Sequence, residues 1–332
     1  MTMDSPKLRW LVLGASGFVG SAIVAELRSR GARVVTMAAP RLSSSATTPE
    51  ALAAEARATL DSTRMGTSGM ATSVLAELRQ ECADADIVIN AAGMATPGDG
   101  ESQALTGANA LLPAVTALIA QEAAVRRLVH LSSASVQGHR RVIDESAERA
   151  PFSPYSRSKA LGEEVLELVA SGGAPSSVVT VRATSVQGMG RPTTRSLIKV
   201  AGSPLASVAK PGSAPTPVSS IDALAWFVVE TALFAGNVPA LVLQPWEGLS
   251  VSDVLNAAGG RAPHLLPHGF CRTILATGYF TSGLLGERFH GPLRRVELMW
   301  FGQEQAPGWA DAVGLAPVPA VASLLKKARQ GQ

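Results

Sequence analysis

The stretch Gly14-Ala15-Ser16-Gly17-Phe18-Val19-Gly20 decides the reading of this chain. The short apolar run Leu8 to Leu13 precedes it, and helical periodicity in Ile23, Val24 and Leu27 follows from Ser21 to Arg30. Gly31 stands where a left-handed helix cap is expected, and Val34 to Met37 is a second β-branched run. The opening segment therefore reads strand, helix, strand. Glycines spaced between a strand and a helix let a pyrophosphate approach backbone N–H groups at the positive helix end. In that context Gly14, Ser16, Gly17, Phe18, Val19 and Gly20 are assigned to dinucleotide binding; the competing reading is a tight turn before a packed helix.

Working outward, residues 41–81 are rich in Ser, Thr and Ala and suggest one or two helices without a further strand. Asp86 to Asn90 reads as a buried strand followed by the loop Ala91-Ala92-Gly93, and a helix is expected from about Asn109 to Glu122 with Pro113 near its first turn. Leu128 to Leu131 is the next strand. Ser153-Pro154 pairs a capping serine with a proline suited to the first helical position, opening a helix to about Ala170 that stops at Gly172-Gly173. Val178 to Val181 is another strand. This alternation implies an α/β chain of the Rossmann type, doubly wound, its mostly parallel sheet covered on both faces. After Gly188 the pattern changes to a smaller C-terminal substrate lobe. The expected division is residues 1–188 with 218–244 as the dinucleotide-binding domain and residues 189–217 with 245–332 as the lobe, the chain returning to the sheet near Val218–Glu230 and Ala240–Gln244.

Two further constellations carry chemistry. Tyr155 and Lys159, one helical turn apart, project from the same face, and an ammonium near a phenol stabilises the phenolate. The alternative is a half-exposed tyrosine with a surface lysine. Ser132 and Ser133 emerge at the carboxyl end of the Leu128–Leu131 strand, where open α/β sheets place ligands. A hydroxyl there can hydrogen-bond a substrate carbonyl, or serve only as a turn serine. Asp144 and Glu145 are read either as a second acid–base pair reaching substrate or as a solvated loop. Ile274 to Leu285, with Tyr279 and Phe280, is read as an apolar pocket wall or as simple core.

Composition sets limits on function. The 332 residues are 46% hydrophobic and 17% charged, with a net charge of +3 and scattered basic residues, which excludes a disordered chain and gives no basic stripe for nucleic acid. The two cysteines, Cys82 and Cys271, cannot form a disulfide framework, and His264, His268 and Cys271 do not complete a zinc spacing. The N-terminus lacks the apolar core of a signal peptide, and the run Ala225 to Gly236 is broken by Glu230 and too short to span a bilayer. A cytoplasmic protein with a small-molecule substrate, without nucleic-acid, membrane or metal partners, and forming a homodimer, is the expectation.

With these motifs in hand, the chain resembles the extended short-chain dehydrogenase/reductase family, also called the NAD-dependent epimerase/dehydratase family. The resemblance covers Lys7 to Glu230 well and the last hundred residues loosely. It rests on residues 14–20, Asn90-Ala91-Ala92-Gly93, Asn109, residues 131–138, Tyr155 to Lys159, residues 181–188 and Ile221-Asp222. It implies Ser133, five residues before Gly138, as the catalytic serine, Tyr155 as the acid–base, and Lys159 as the residue that binds the nicotinamide ribose. It further implies that Ala91, Ala92, Gly93 and Asn109 line the cofactor and that the C-terminal lobe holds the substrate. Gln137 and Ser185, where relatives carry Tyr and Asn, are the corresponding substrate-binding positions. Pro215 stands where an arginine often contacts a diphosphate.

The cofactor is then NAD(P). A carboxylate for the ribose 2′-hydroxyl is expected at the end of the second strand, but that position is Ala38, and Arg41 follows three residues later, which favours NADP(H). The favoured activity is an oxidoreductase moving hydride between nicotinamide and a ketone or secondary alcohol, including a nucleotide sugar. The alternatives are a nucleotide-sugar epimerase or dehydratase with tightly bound NAD and a non-catalytic NAD(P)-sensing protein.

Overall fold

A computed structural model describes residues 8–64, 70–95, 100–171, 177–284 and 289–331. Contacts divide the chain into two units: residues 1–133, 154–182 and 225–242 form the first, and residues 134–153, 183–224 and 243–332 the second. The second unit thus takes in 134–153, 183–188, 218–224 and 243–244, which the sequence pattern grouped with the sheet.

Six strands make the central sheet of the first unit: β1 (Arg9–Leu13), β2 (Arg33–Met37), β3 (Ile87–Asn90), β4 (Arg127–Ser133), β5 (Ser177–Ala183) and β6 (Leu241–Leu243). Their order is β6-β5-β4-β3-β1-β2. β1 runs parallel to both β2 and β3, and β3 runs parallel to β4. The chain leaves β1 on one side to reach β2 and returns on the other to β3, so the strand order reverses beside β1.

Side chains alternate across the sheet. Leu11, Leu13, Val88 and Leu128 share one core with Leu52, Ala56, Leu75, Leu78, Val115 and Val165. These come from the helices α1 (Phe18–Ser29), α2 (Pro49–Arg64), α3 (Met70–Ala83), α4 (Gln103–Glu122) and α5 (Pro154–Ala170), α1 excepted. The intervening residues Trp10, Val12, Ile87, Ile89 and Val129 are equally buried, as are Ile23 and Leu27 of α1 and Phe227 and Val228 of the Ile221–Leu233 helix. Residues 41–81 hold the two helices α2 and α3 among their described positions. Gly31 has a φ of 69°, the left-handed conformation expected of it. The proposed stop of α5 at Gly172-Gly173 lies outside the described residues.

α4 departs from expectation. It begins at Ser102, whose hydroxyl accepts from the Leu105 N–H, and contains a π-helical turn over Gly107–Leu111 before continuing to Glu122. Pro113 explains the turn: it lacks the N–H that an α-helix would direct at the Asn109 carbonyl, and its ring would crowd that oxygen. The Asn109 carbonyl instead faces α5, where a Cβ on Gly162 would stand 2.1 Å from it. By length and composition α4 is apolar enough to cross a membrane, but 72% of its most apolar window is buried inside the fold, as in a core helix.

In the second unit, three parallel two-stranded pairs join Ser207–Ala209 to His264–Leu266, Val142–Ile143 to Glu304–Gln305, and Ser185–Gln187 to Val218–Ser220. Of the expected return near Val218–Glu230, the polar Val218–Ser220 strand pairs with Ser185–Gln187, while residues 225 onward of the Ile221–Leu233 helix belong to the first unit. Leu241–Leu243 joins the main sheet itself. The core is formed by Ile198, Ala201, Val251, Val254, Leu255 and Leu325. A reciprocal cap between Ser250 and Asp253 starts the helix Val251–Gly259.

Candidate active site

The glycine loop sits at the sheet's reversal point. Gly14 has a φ of 75°, and its N–H donates to the Met37 carbonyl at 3.1 Å. A Cβ on Gly14 would stand 2.8 Å from the backbone of Ala92, so the loop after β1 and the loop after β3 meet without side chains between them. The Ala91 N–H closes the same crevice by donating to Leu13 at 3.1 Å. Gly17 caps α1 without contributing a side chain. Bare backbone at a helix N-terminus, in a crevice outside the carboxyl ends of β1 and β3, fits the phosphates of a dinucleotide.

The third strand's loop is clasped by Asn109. Its Oδ1 accepts from the Met94 N–H, and its Nδ2 donates to the Met94 carbonyl and to Ser158 Oγ, each at 2.9 Å. Ser158 Oγ in turn donates to the Tyr155 carbonyl at 2.8 Å. The amide of Asn109, fully buried, thus ties the cofactor-side loop to the first turn of α5. A Cβ on Gly93 would stand 3.0 Å from both Asn109 Oδ1 and Lys159 Nζ. Gly93→Ala crowds both groups, and overpacking of this kind costs about 1–3 kcal/mol. The expected result is dinucleotide binding weakened about tenfold, which is about 1.4 kcal/mol, measured by titration beside the unchanged parent.

Lys159 is not a surface lysine. It is 4% exposed, and Nζ donates to the Leu131 carbonyl at 2.9 Å. Burial draws its pKa down to about 8, against the opposing pull of Glu163. Around it lies a buried polar layer that the sequence motifs did not reveal. Ser132 Oγ donates to Glu163 Oε1 at 2.7 Å, and Arg182, fully buried, forms two bonds to the same carboxylate at 3.0 and 2.7 Å. Two signals were available: Glu163 lies one turn beyond Lys159, and Arg182 is a lone charge in an apolar strand, where an unpaired cation is costly. His130, 1% exposed, has its pKa pushed well below the ordinary value by burial and by Lys159.

Ser133 ends β4 and Tyr155 is the second residue of α5, both half-buried. Ser133, Tyr155, Lys159, Ala91, Ala92, Gly93, Asn109 and the glycine loop all belong to the first unit. Ala38 and Arg41 follow β2 and are exposed.

The other candidates lie in the second unit. Gln137 is fully buried; its Nε2 donates to Asp144 Oδ1 and the Glu148 carbonyl, and its Oε1 accepts from the Asp144 N–H. Its amide folds its own loop. Burial pushes the Asp144 carboxyl up, but hydrogen bonds from Ser146 and Gln137 outweigh it and bring the pKa to about 2. Glu145 accepts from the Leu243 and Trp309 N–H groups at 2.9 and 2.7 Å. The Asp144 carboxylate is engaged by Gln137, Arg140 and Ser146, and that of Glu145 holds backbone. Ser185 is exposed at the start of its strand. Tyr279 donates to Glu297 at 2.8 Å, while Phe280 is 70% exposed. Cys82 and Cys271 are buried free thiols, and among the described residues no His, Cys, Asp and Glu cluster is placed to hold a metal.

The model of the NAD dependent epimerase/dehydratase family matches residues 10–211. The chain belongs to that family, which makes it an enzyme of NAD-dependent chemistry. No curated protein matches its sequence. Among solved structures, UDP-glucuronic acid 4-epimerase from Bacillus cereus in complex with NAD is 17% identical, covering 97% of this chain and 96% of that one, with a TM-score of 0.64. MoeE5 in complex with UDP-glucose and NAD is 18% identical over 97% of each chain, with a TM-score of 0.59. The NAD-dependent NDP-hexosamine 5,6-dehydratase TunA, involved in tunicamycin biosynthesis, is 16% identical over 98% of this chain and 99% of that one, with a TM-score of 0.59. At these identities the likeness is one of fold.

Proposed function

We propose that the protein oxidises a secondary alcohol of a nucleotide-linked sugar transiently and returns the hydride, as an epimerase or dehydratase that retains NAD. The observation that carries this reading is Lys159, buried and anchored to the Leu131 carbonyl one turn after Tyr155, in a chain of this family. Structures that it resembles hold nucleotide sugars, with UDP-glucose and UDP-glucuronic acid bound to MoeE5.

Bound nicotinamide supplies the hydride acceptor and donor. Tyr155 takes the hydroxyl proton as a phenolate and restores it as a phenol. Ser133 donates a hydrogen bond to the same substrate oxygen. Lys159 spends one of its three N–H donors on Leu131, which leaves donors for the ribose and keeps a positive charge near the phenol. Gly14, Ser16, Gly17, Phe18, Val19 and Gly20 hold the pyrophosphate, and Ala91, Ala92 and Gly93 line the cofactor. Asn109 acts on that lining through Met94 and Ser158.

The test is to denature the purified protein, assay the released nicotinamide dinucleotide, and incubate intact protein with a panel of UDP-sugars. Near-stoichiometric NAD, with sugar isomerised or dehydrated and no net change in added cofactor, is expected. An empty protein that consumes NADPH in proportion to product overturns the reading and installs a reductase.

The reductase reading is favoured by one region. No carboxylate follows β2, where Ala38 stands, and Arg41 lies exposed beyond it. Under the proposal above, NAD binds more tightly than NADP and Arg41→Ala leaves both affinities unchanged. Tighter NADP binding that drops about tenfold in Arg41→Ala, the loss of one charge-assisted contact of about 1.4 kcal/mol, supports the reductase instead. A non-catalytic sensor has no use for the Ser133, Tyr155 and Lys159 set; turnover of any panel substrate removes that reading.

A further inference from the structure

On the sheet face that α5 covers lie two buried side chains that the proposed chemistry does not use, one of them within the electrostatic reach of Lys159. Asn90 of β3 and His130 of β4 are register partners on adjacent parallel strands, so their side chains project from the same face. That face is the one covered by α4 and α5, since Val88 and Leu128, two residues earlier on each strand, share a core with Val115 and Val165. Each residue is 1% exposed. Asn90 Oδ1 accepts from the Ala92 N–H at 3.1 Å, but Nδ2 has no hydrogen-bond partner among the described residues, and neither has either ring nitrogen of His130.

Buried donors and acceptors left unsatisfied are costly, and here three such atoms belong to register partners on adjacent strands. Neutral imidazole offers one donor and one acceptor, and the Asn90 amide offers a donor. The next residue after His130 is Leu131, whose carbonyl receives Lys159 Nζ. An internal water needs two to four polar partners, and this site supplies them in a layer where water is worth keeping.

We propose that Asn90 and His130 hold one internal water against the Lys159 ammonium and that this water is a positioning element of the proposed active site, solvating the charge that Tyr155 depends on. The inference rests on the Tyr155–Lys159 reading given above. The charged and titratable groups on the elements that meet at this face include Tyr155, Lys159 and Glu163 on α5 and Arg182 on β5, with uncharged Ser132 on β4 and Asn109 on α4. Glu163 already serves Ser132 and Arg182, so it is not dedicated to Lys159. His130 stays neutral beside that ammonium, as both burial and the charge of Lys159 require, and so acts as a hydrogen-bonding group and not as a second cation.

The sign of the effect follows. Removing the water desolvates the ammonium further, and desolvation lowers a lysine pKa. Lysine labelled with 13C at Cε, in the full protein, gives the titration of Lys159 directly, its resonance assigned by its loss in Lys159→Met. The parent is expected to titrate near pH 8, in line with its buried position. His130→Phe is expected to lower that midpoint by about one pH unit, and His130→Gln, which keeps a donor and an acceptor, to restore it. An unchanged midpoint in a folded His130→Phe overturns the inference, as does a midpoint that His130→Gln fails to restore. Should His130→Phe not fold, a high-resolution crystal structure of the parent decides: a water within hydrogen-bonding distance of His130 and Asn90 Nδ2 supports the proposal, and its absence refutes it. None of these readouts needs turnover, so a failure here is distinct from full activity in Tyr155→Phe, which would sink the proposed chemistry itself.

Discussion

Tyr155→Phe is expected to lose turnover by about a hundredfold to ten-thousandfold, the contribution typical of a general acid–base group, while dinucleotide affinity changes little. Only the phenolic oxygen carries the proton; the ring keeps its place on α5, and the Tyr155 carbonyl that receives Ser158 Oγ is untouched. The check is steady-state turnover with whichever sugar nucleotide the parent converts, together with a dinucleotide titration. Half-maximal activity in the variant would remove Tyr155 from the mechanism. Lys159→Ala is expected to differ by weakening dinucleotide binding as well, because its Nζ lies where Gly93 and Asn109 converge. Ser133→Ala should reduce turnover less completely, since it removes one hydrogen bond to the substrate oxygen and no proton carrier.

The second large effect concerns Glu163. Its carboxylate, 1% exposed, accepts from Ser132 and makes both contacts with the fully buried Arg182. Glu163→Ala leaves the Arg182 charge in the interior without that carboxylate, and breaking one side of a buried pair costs about 3–5 kcal/mol. The denaturant midpoint is expected to fall accordingly with the unfolding slope unchanged. The same substitution removes a carboxylate whose charge raises the Lys159 pKa, so the lysine is expected to titrate lower than in the parent. A midpoint within 1 kcal/mol of the parent, on the order of an exposed ion pair, would show that this layer does not carry the stability assigned to it. Replacing Glu163 and Arg182 together with leucine and methionine is the contrasting variant, since a buried pair exchanged for packed apolar side chains is often neutral.

The legible part of this protein was its periodic part. The glycine loop, the strand before it and the helix after it are local features, fixed by where side chains must be absent and where apolar residues recur, and β1, α1 and β2 form within a few residues of the expected bounds. Ser153-Pro154 located the start of α5, and with it the one-turn spacing of Tyr155 and Lys159. The π turn in α4 was not legible, because Pro113 alone permits either a helix start or a bulge. Gly162 on α5 decides between them by leaving room for the displaced Asn109 carbonyl. The pairing of Val218–Ser220 with Ser185–Gln187 was not legible for a similar reason: three residues have too little pattern to name a partner.

By itself the sequence determined the doubly wound class and the glycine turn at the carboxyl end of β1, and it nominated the residues proposed for hydride transfer. Each of these depends on spacing along one element or on a residue type that only one backbone shape tolerates. Tertiary structure alone decided what surrounds those residues. It turned Lys159 from a possible surface lysine into a buried cation held by Leu131, gave Asn109 its clasp on Met94 and Ser158, and engaged Gln137, Asp144 and Glu145 in their own unit. It also gathered Asn90, His130, Ser132, Glu163 and Arg182 into one buried polar layer from three strands and a helix. The physical reason is that periodicity reports which side of an element is buried, whereas the hydrogen-bond partner of a buried polar group comes from whatever distant element packs there, and no local spacing encodes that choice.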